Sequence, residues 1–168
     1  MERFIGTKLI KATPMTRLVY NQYRGWELPE NENGEDEGFL VEYLDGGASN
    51  DDRHEGYISW SPAEVFHRAY QPLDAMNFGH ALEMLKLGEA VSRAGWNGKG
   101  MFLYLVPAPA EGYPAQTGVA KKFFGENALV PYGPYIAMKT ATGEVVPWLC
   151  SQTDALAEDW GVVEIHEE

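Results

Sequence analysis

Short apolar runs in this chain switch repeatedly between strand-like alternation and helical spacing, and polar or glycine-rich stretches mark each switch. Residues 5–10 read as a first, partly alternating strand. In TPMTRLVYNQY, Thr13 is placed to cap a helix with Pro14 at its first position. Met15, Leu18, Val19 and Tyr23 follow at i, i+3, i+4 and i+8, which makes one helical face, and Gly25 ends it. Residues 27–38 are an acidic loop with almost nothing to bury. Residues 39–43 make a second strand, a wide polar turn follows, and 57–60 return as a third. SPAEVFHRAY then predicts a helix with Ser61 as cap, Pro62 at its first position and Glu64 closing a capping box. Val65, Phe66 and Tyr70 supply its buried side.

Gln71-Pro72-Leu73-Asp74 is the break this pattern suggests, giving two expected domains, 1–73 and 74–168. Beyond it Asn77 caps a helix whose Phe78, Ala81, Leu82 and Leu85 keep the i, i+3, i+4, i+7 spacing, and Gly88 terminates it. Residues 90–92 and 101–106 read as strands around the turn GWNGKG. Residues 107–133, rich in Pro, Gly and Ala, exceed an ordinary hairpin loop and predict a lid or an excursion tied down by Phe123 and Phe124. Residues 135–139 and 144–146 form a hairpin across Thr142-Gly143. Ser151 and Asp154 stand in the relation of a helix cap, ALAE gives little more than one turn, and 160–165 close the chain as a strand. The expected fold is α+β: a small antiparallel-sheet domain with a capped N-terminal helix, preceded by a second small α+β module.

Charge narrows the partners. The 168 residues carry 13 basic and 25 acidic side chains, a formal net of −12, and neither half hides a basic module. A nucleic-acid polymer or an anionic membrane surface is therefore a poor match, while a local pocket for a small anion is compatible. The single cysteine, Cys150, excludes an intrachain disulfide and fits a reducing, cytoplasmic compartment. No stretch approaches the roughly 18 apolar residues of a spanning helix.

Reactive side chains do not assemble into a recognisable catalytic motif. His54, His67, His80 and His166 form no H-x-x-x-H or H-E-x-x-H pair, and no metal or other cofactor is implied. Cys150 precedes a helix start but has no histidine nearby in sequence, and Ser151 lacks the G-x-S-x-G setting, so its capping role explains it. Asp154 and Asp159 are five residues apart, about 140° on a helix, which argues against a carboxylate pair. The turn at 95–100 is open to two readings, a tight turn or a binding turn. Trp96, Trp148 and Trp160 either close a core or offer stacking surfaces for a planar base. With Arg93, Lys99 and Lys139 as phosphate contacts, an aromatic and cationic pocket for a nucleotide is a coherent alternative. Trp26 and ISWSP, residues 58–62, are either packing or a peptide-binding wall.

An ordered series of motifs gives this pattern a likeness. Met-Asn-Phe from Met76, Arg-x-Gly-Trp-Asn-Gly from Arg93, Pro147-Trp148, and Ser-Gln-x-Asp-x-Leu-Ala-x-Asp-Trp from Ser151 resemble the type-two Thoeris anti-defence family over residues 76–163. Cys150-Ser151 stands where that family usually has Pro-Ser, and 107–133 is a larger excursion than a minimal member needs. The resemblance implies a phage-encoded sponge acting in the cytoplasm of an infected bacterium. Such a protein binds cyclic nucleotide immune messengers, notably of the glycocyclic ADP-ribose type and in some relatives cyclic oligonucleotides, without cleaving them. It implies self-association as a dimer or tetramer, and it places Arg93, Trp96, Asn97, Met138, Trp148, Ser151, Gln152, Asp154 and Trp160 near a ligand recess. Residues 1–73 resemble a phage-protein module of unassigned activity. The competing expectations are an enzyme that degrades the messenger and an adaptor that binds a protein through the N-terminal module.

Overall fold

The computed structural model describes residues 1–166, and the chain divides into two units, Met1–Gln71 and the remainder from Pro72. Each is an α+β unit on an antiparallel sheet. No described helix is long and apolar enough to cross a membrane.

In the first unit, strands β1 (Ile10–Pro14), β2 (Gly38–Tyr43) and β3 (Ile58–Pro62) pair in that order. Helices α1 (Arg17–Arg24) and α2 (Ala63–Ala69) complete it. The sheet's alternation divides its contacts: Leu40 and Ile58 cluster with Tyr20 of α1, while Phe39 stacks on Phe66 of α2 at 3.9 Å.

Several local expectations shift here. The first strand begins at Ile10 rather than at residue 5, because its partners are Phe39 to Tyr43 of β2. Thr13 and Pro14 stay in that ladder, so the cap of α1 is Thr16, whose hydroxyl accepts from Val19 N. The predicted face is only half right: Met15 and Tyr23 pack against the core cluster, but Leu18 and Val19 are exposed, and Tyr20 and Asn21 are the buried residues of the helix. Gly25 does end the helix, in the left-handed conformation at φ 72°. Ser61 is not a cap either. It lies in β3 opposite Phe39, and α2 begins after Pro62 without a side-chain cap. Val65 is exposed, leaving ring packing to Phe66 and Tyr70.

The second unit follows its predicted course more closely. Asn77 Oδ1 accepts from His80 N at 3.0 Å and opens helix α3 (Phe78–Lys86). Strands β4 (Ala90–Arg93), β5 (Phe102–Val106), β8 (Tyr135–Lys139), β9 (Val145–Pro147) and β10 (Trp160–Val163) form one sheet in the order β10-β4-β5-β8-β9. Ser151 caps the four-residue helix α5 (Gln152–Ala155) by accepting from Asp154 N. The core comprises Met76, Ala81, Met84, Leu85, Val91, Leu103 and Trp160. Met76 and Trp160 exchange both backbone hydrogen bonds, at 2.7 and 3.1 Å, and so tie the start of the unit to its last strand.

Between β5 and β8 the excursion contains the short strands β6 (Tyr113–Pro114) and β7 (Leu129–Val130) and helix α4 (Gly118–Phe124). Phe123 and Phe124 do not tie it down: they are 81% and 45% exposed. The ladder between Tyr113 and Val130, with buried Ala115 and Val130, holds it instead. Gly112 is required at its neck, since φ is +83° and a Cβ there would collide with Val130 O.

Candidate functional site

Strands β4 and β10 pair so that Arg93 lies opposite Trp160, and this register builds the polar centre of the second unit. Asp159, the residue before Trp160, accepts from Arg93 Nε at 2.8 Å and, through its other oxygen, from Gly95 N at 2.7 Å. Arg93 also donates to Asp154 Oδ1 at 2.7 Å. Asp154 further accepts from Trp96 Nε1 at 3.2 Å and from the Ser151 hydroxyl at 2.7 Å, while its backbone carbonyl accepts from Trp160 Nε1 at 3.0 Å. Thus one guanidinium bridges two carboxylates, and two of the three indoles are bonded to the same aspartate.

The aspartates therefore share a site despite their unfavourable helical phase. Helix α5 ends at Ala155, so Asp159 is delivered by the approach to β10 instead of by a helical turn. Electrostatics follow from the geometry. Hydrogen bonding from Arg93 holds the Asp159 carboxyl below the usual carboxylate range. At Asp154 burial pulls upward, but the bonds from Arg93, Ser151 and Trp96 outweigh it and the shift is also downward. Arg93 is stabilised as a cation by Asp159 first and Asp154 second. The knot carries two negative charges against one positive, so Arg93 is not a free anion receptor.

Around the knot the rings are fixed by one another. Trp160 is fully buried; Trp96 meets it edge-on at 5.4 Å and Trp148 at 6.1 Å, and Phe78 touches both Trp148 and Trp160. Trp96 and Trp148 are only half-buried, so each keeps ring surface toward solvent. Met138 packs against the same core.

The structure thus brings together Arg93, Trp96, Met138, Trp148, Ser151, Asp154 and Trp160. Asn97 and Lys99 are exposed on the adjoining turn. Lys139 lies opposite Phe102, on the alternate sheet face from Met138, but its ammonium donates to Gly100 O at 3.1 Å and so reaches the end of that turn. Gln152 is exposed on the first residue of α5. Cys150 is partly exposed, and burial followed by the Asp154 charge pushes its thiol up, away from the reactive thiolate. Two participants were absent from the predicted site, Asp159 as a bridge and Phe78 as a ring wall. Asp159 carries a usable signal, an Asp-Trp pair at a strand start facing an Arg-x-Gly-Trp at another strand's end, but only once β4 and β10 are known to pair.

Known proteins are similar to this part of the chain. The model of the Tad2-like family, the Thoeris anti-defense 2-like domain, matches residues 76–163. Thoeris anti-defense 2 of Bacillus phage SP01 is 47% identical over 89 residues, which cover 52% of this chain and 94% of that protein. The matched span includes α3, all five strands of the larger sheet and every residue of the Arg93 knot. Since the family match extends over just more than half of its length, the chain belongs to the Tad2-like family of anti-defense domains.

Proposed function

We propose that residues 74–168 bind and sequester a cyclic nucleotide immune messenger of the glycocyclic ADP-ribose class without cleaving it, so that a bacterial anti-phage effector is left inactive. The observation that carries this reading is the pair of partly buried indoles, Trp96 and Trp148, braced on buried Trp160 beside a polar centre whose groups are committed to one another. Braced rings present a flat surface at little entropic cost, the property needed to stack a base. Ser151 caps a helix and donates to Asp154, the Cys150 thiol is shifted toward its neutral form, and both carboxylates face Arg93. These commitments favour a binding wall over a nucleophile or a free acid–base pair.

In this reading an adenine stacks on Trp96 or Trp148. The pyrophosphate meets Lys99 and Lys139 at the turn 95–100, where Asn97 supplies a further polar contact. Arg93 shapes the wall between them, Gln152 lies at its rim, and Met138 supports it from the core. A dimer or tetramer completes the recess with a second subunit, so affinity depends on assembly. The setting is the cytoplasm of an infected bacterium.

Calorimetry with glycocyclic ADP-ribose tests the stacking roles. The wild-type chain is expected to bind at micromolar concentration or below. Trp96→Ala or Trp148→Ala should weaken binding by about 10- to 100-fold, the range of about 1–3 kcal/mol for a stacked base. Unchanged affinity in both variants would remove the stacking assignment, and no binding by the wild type would remove the ligand.

A further inference from the structure

The first unit holds a second aromatic surface that the reading above does not use. A groove of about 470 Å³ lies between α1, the acidic loop and β3, walled by the rings of Tyr20, Trp26, Tyr57 and Trp60, and the two charged residues of its lining, Arg17 and Glu32, are paired with each other. We infer that this groove is a docking site for a proline-rich, positively charged peptide segment of a partner protein.

Two features mark the groove as a built surface. Trp26 is 54% exposed, yet it does not hang free. The Arg24 guanidinium lies 4.6 Å from its ring centroid, Tyr20 meets it edge-on at 6.2 Å, and its backbone N–H donates to Asn21 O. Arg24 is itself largely buried, donates to Asn50 O, and has its NH1 nitrogen 3.9 Å from Asp51 Oδ2, so the cation that backs the indole is held in place by a backbone carbonyl and a buried carboxylate. Trp60 is fixed likewise: its Nε1 donates to Met15 O at 2.8 Å, and Arg17 sits 4.3 Å from its ring. An exposed tryptophan locked with one face covered and another open loses little freedom when a partner covers it.

Charge selects the partner. Arg17 binds Glu32 and Asp36 and so fastens the acidic loop beside the groove. Glu27, Glu30, Glu35 and Glu37 of that loop are exposed and make no ion pair among the described residues. A phosphate backbone docked in the groove would have this acidic loop as its neighbour, whereas an arginine or lysine beside the docked segment would meet it favourably. Ring-walled grooves suit the extended left-handed helix of proline-rich chains, whose flat pyrrolidines pack on aromatics and which is ordered before it binds.

The test uses the full chain and a fluorescent peptide of about a dozen residues, long enough for some four turns of this helix. It is built of Pro-Pro-Leu repeats ending in two arginines. A version ending in two glutamates and an oligothymidylate are compared by fluorescence polarisation. The expected result is saturable binding of the arginine-ended peptide, weakened about tenfold or more in Trp26→Ala and in Tyr57→Ala, with poor binding of the other two probes. Both substitutions remove exposed rings, and unchanged thermal melting confirms folding. The inference is overturned by no binding of the arginine-ended peptide at about 1 mM. Equal affinity in Trp26→Ala, equal affinity for the glutamate-ended version, or preference for the oligothymidylate also overturns it. Every residue involved lies within Met1–Gln71, so failure here leaves the messenger reading untouched.

Discussion

Trp160→Ala is expected to destabilise the second unit by about 4 kcal/mol, within the range for removing a fully buried large aromatic. Trp160 has no exposed surface, contacts Trp96, Trp148 and Phe78, and donates its indole N–H to Asp154 O. Its backbone also closes the unit through Met76. Truncation would leave a cavity under three rings and free both partly buried tryptophans to collapse into it. For a unit of this size the loss lowers the melting temperature by roughly 15–30 °C. Trp160→Phe should cost less, since it keeps a ring, but it still loses the hydrogen bond to Asp154 O and leaves a smaller cavity, together about 2 kcal/mol. Calorimetric melting of the three proteins checks this, and a small effect for the alanine variant would mean that the ring cluster is not what holds the unit together.

The second large effect belongs to Arg93. Removing its guanidinium in Arg93→Ala leaves Asp154, 15% exposed in its side chain, and Asp159 without a counter-ion. Breaking such a partly buried pair from one side costs about 3 kcal/mol, because the remaining charges stay desolvated. Arg93→Lys restores only part of this, since one ammonium does not reproduce a fork that bridges two carboxylates. Both aspartates are held below their ordinary pKa of about 3.9 in the folded chain, so the folded state resists protonation more than the unfolded one. Their contribution is complete above that value and is lost as pH falls through the lower folded-state values. Urea unfolding should therefore show a wide gap between wild type and Arg93→Ala at neutral pH that narrows below about pH 4. A gap independent of pH would assign the loss to packing of the arginine stem.

Where a local signal stood alone, the sequence already carried the answer. Asn77 before Phe78 and Ser151 before Gln152 had no competing cap, and both helices begin there. In the first unit two threonines compete, and strand pairing decides: Thr13 is claimed by its register with Leu40, leaving Thr16 to start the helix. Ser61 loses its capping role for the same reason, because β3 runs on opposite β2. A strand partner some 25 residues away was invisible in the local pattern.

The candidate site divides in the same way. Trp96, Trp148 and Trp160 stand out in the sequence as one kind of chemistry, but the meeting of Trp96 with Trp160 depends on β10 returning beside β4, and Trp148 comes to them from the end of β9 at the other edge of the sheet. Helical phase argued against Asp154 acting with Asp159. The structure brings them onto one guanidinium, because the helix stops after Ala155 and a strand carries the chain back. Phe123 and Phe124 illustrate the opposite error: two adjacent aromatics suggested an anchor, yet backbone pairing and small buried residues hold the excursion.

The proposal of sequestration is tested most directly by what becomes of the messenger. The chain is incubated with glycocyclic ADP-ribose, excess ligand is removed, the protein is heat-denatured, and the released material is analysed by chromatography against the starting compound. The account predicts that the ligand comes back intact, in an amount set by the protein and unchanged by prolonged incubation. Progressive conversion to a linear or smaller product would contradict it and favour an enzyme that degrades the messenger.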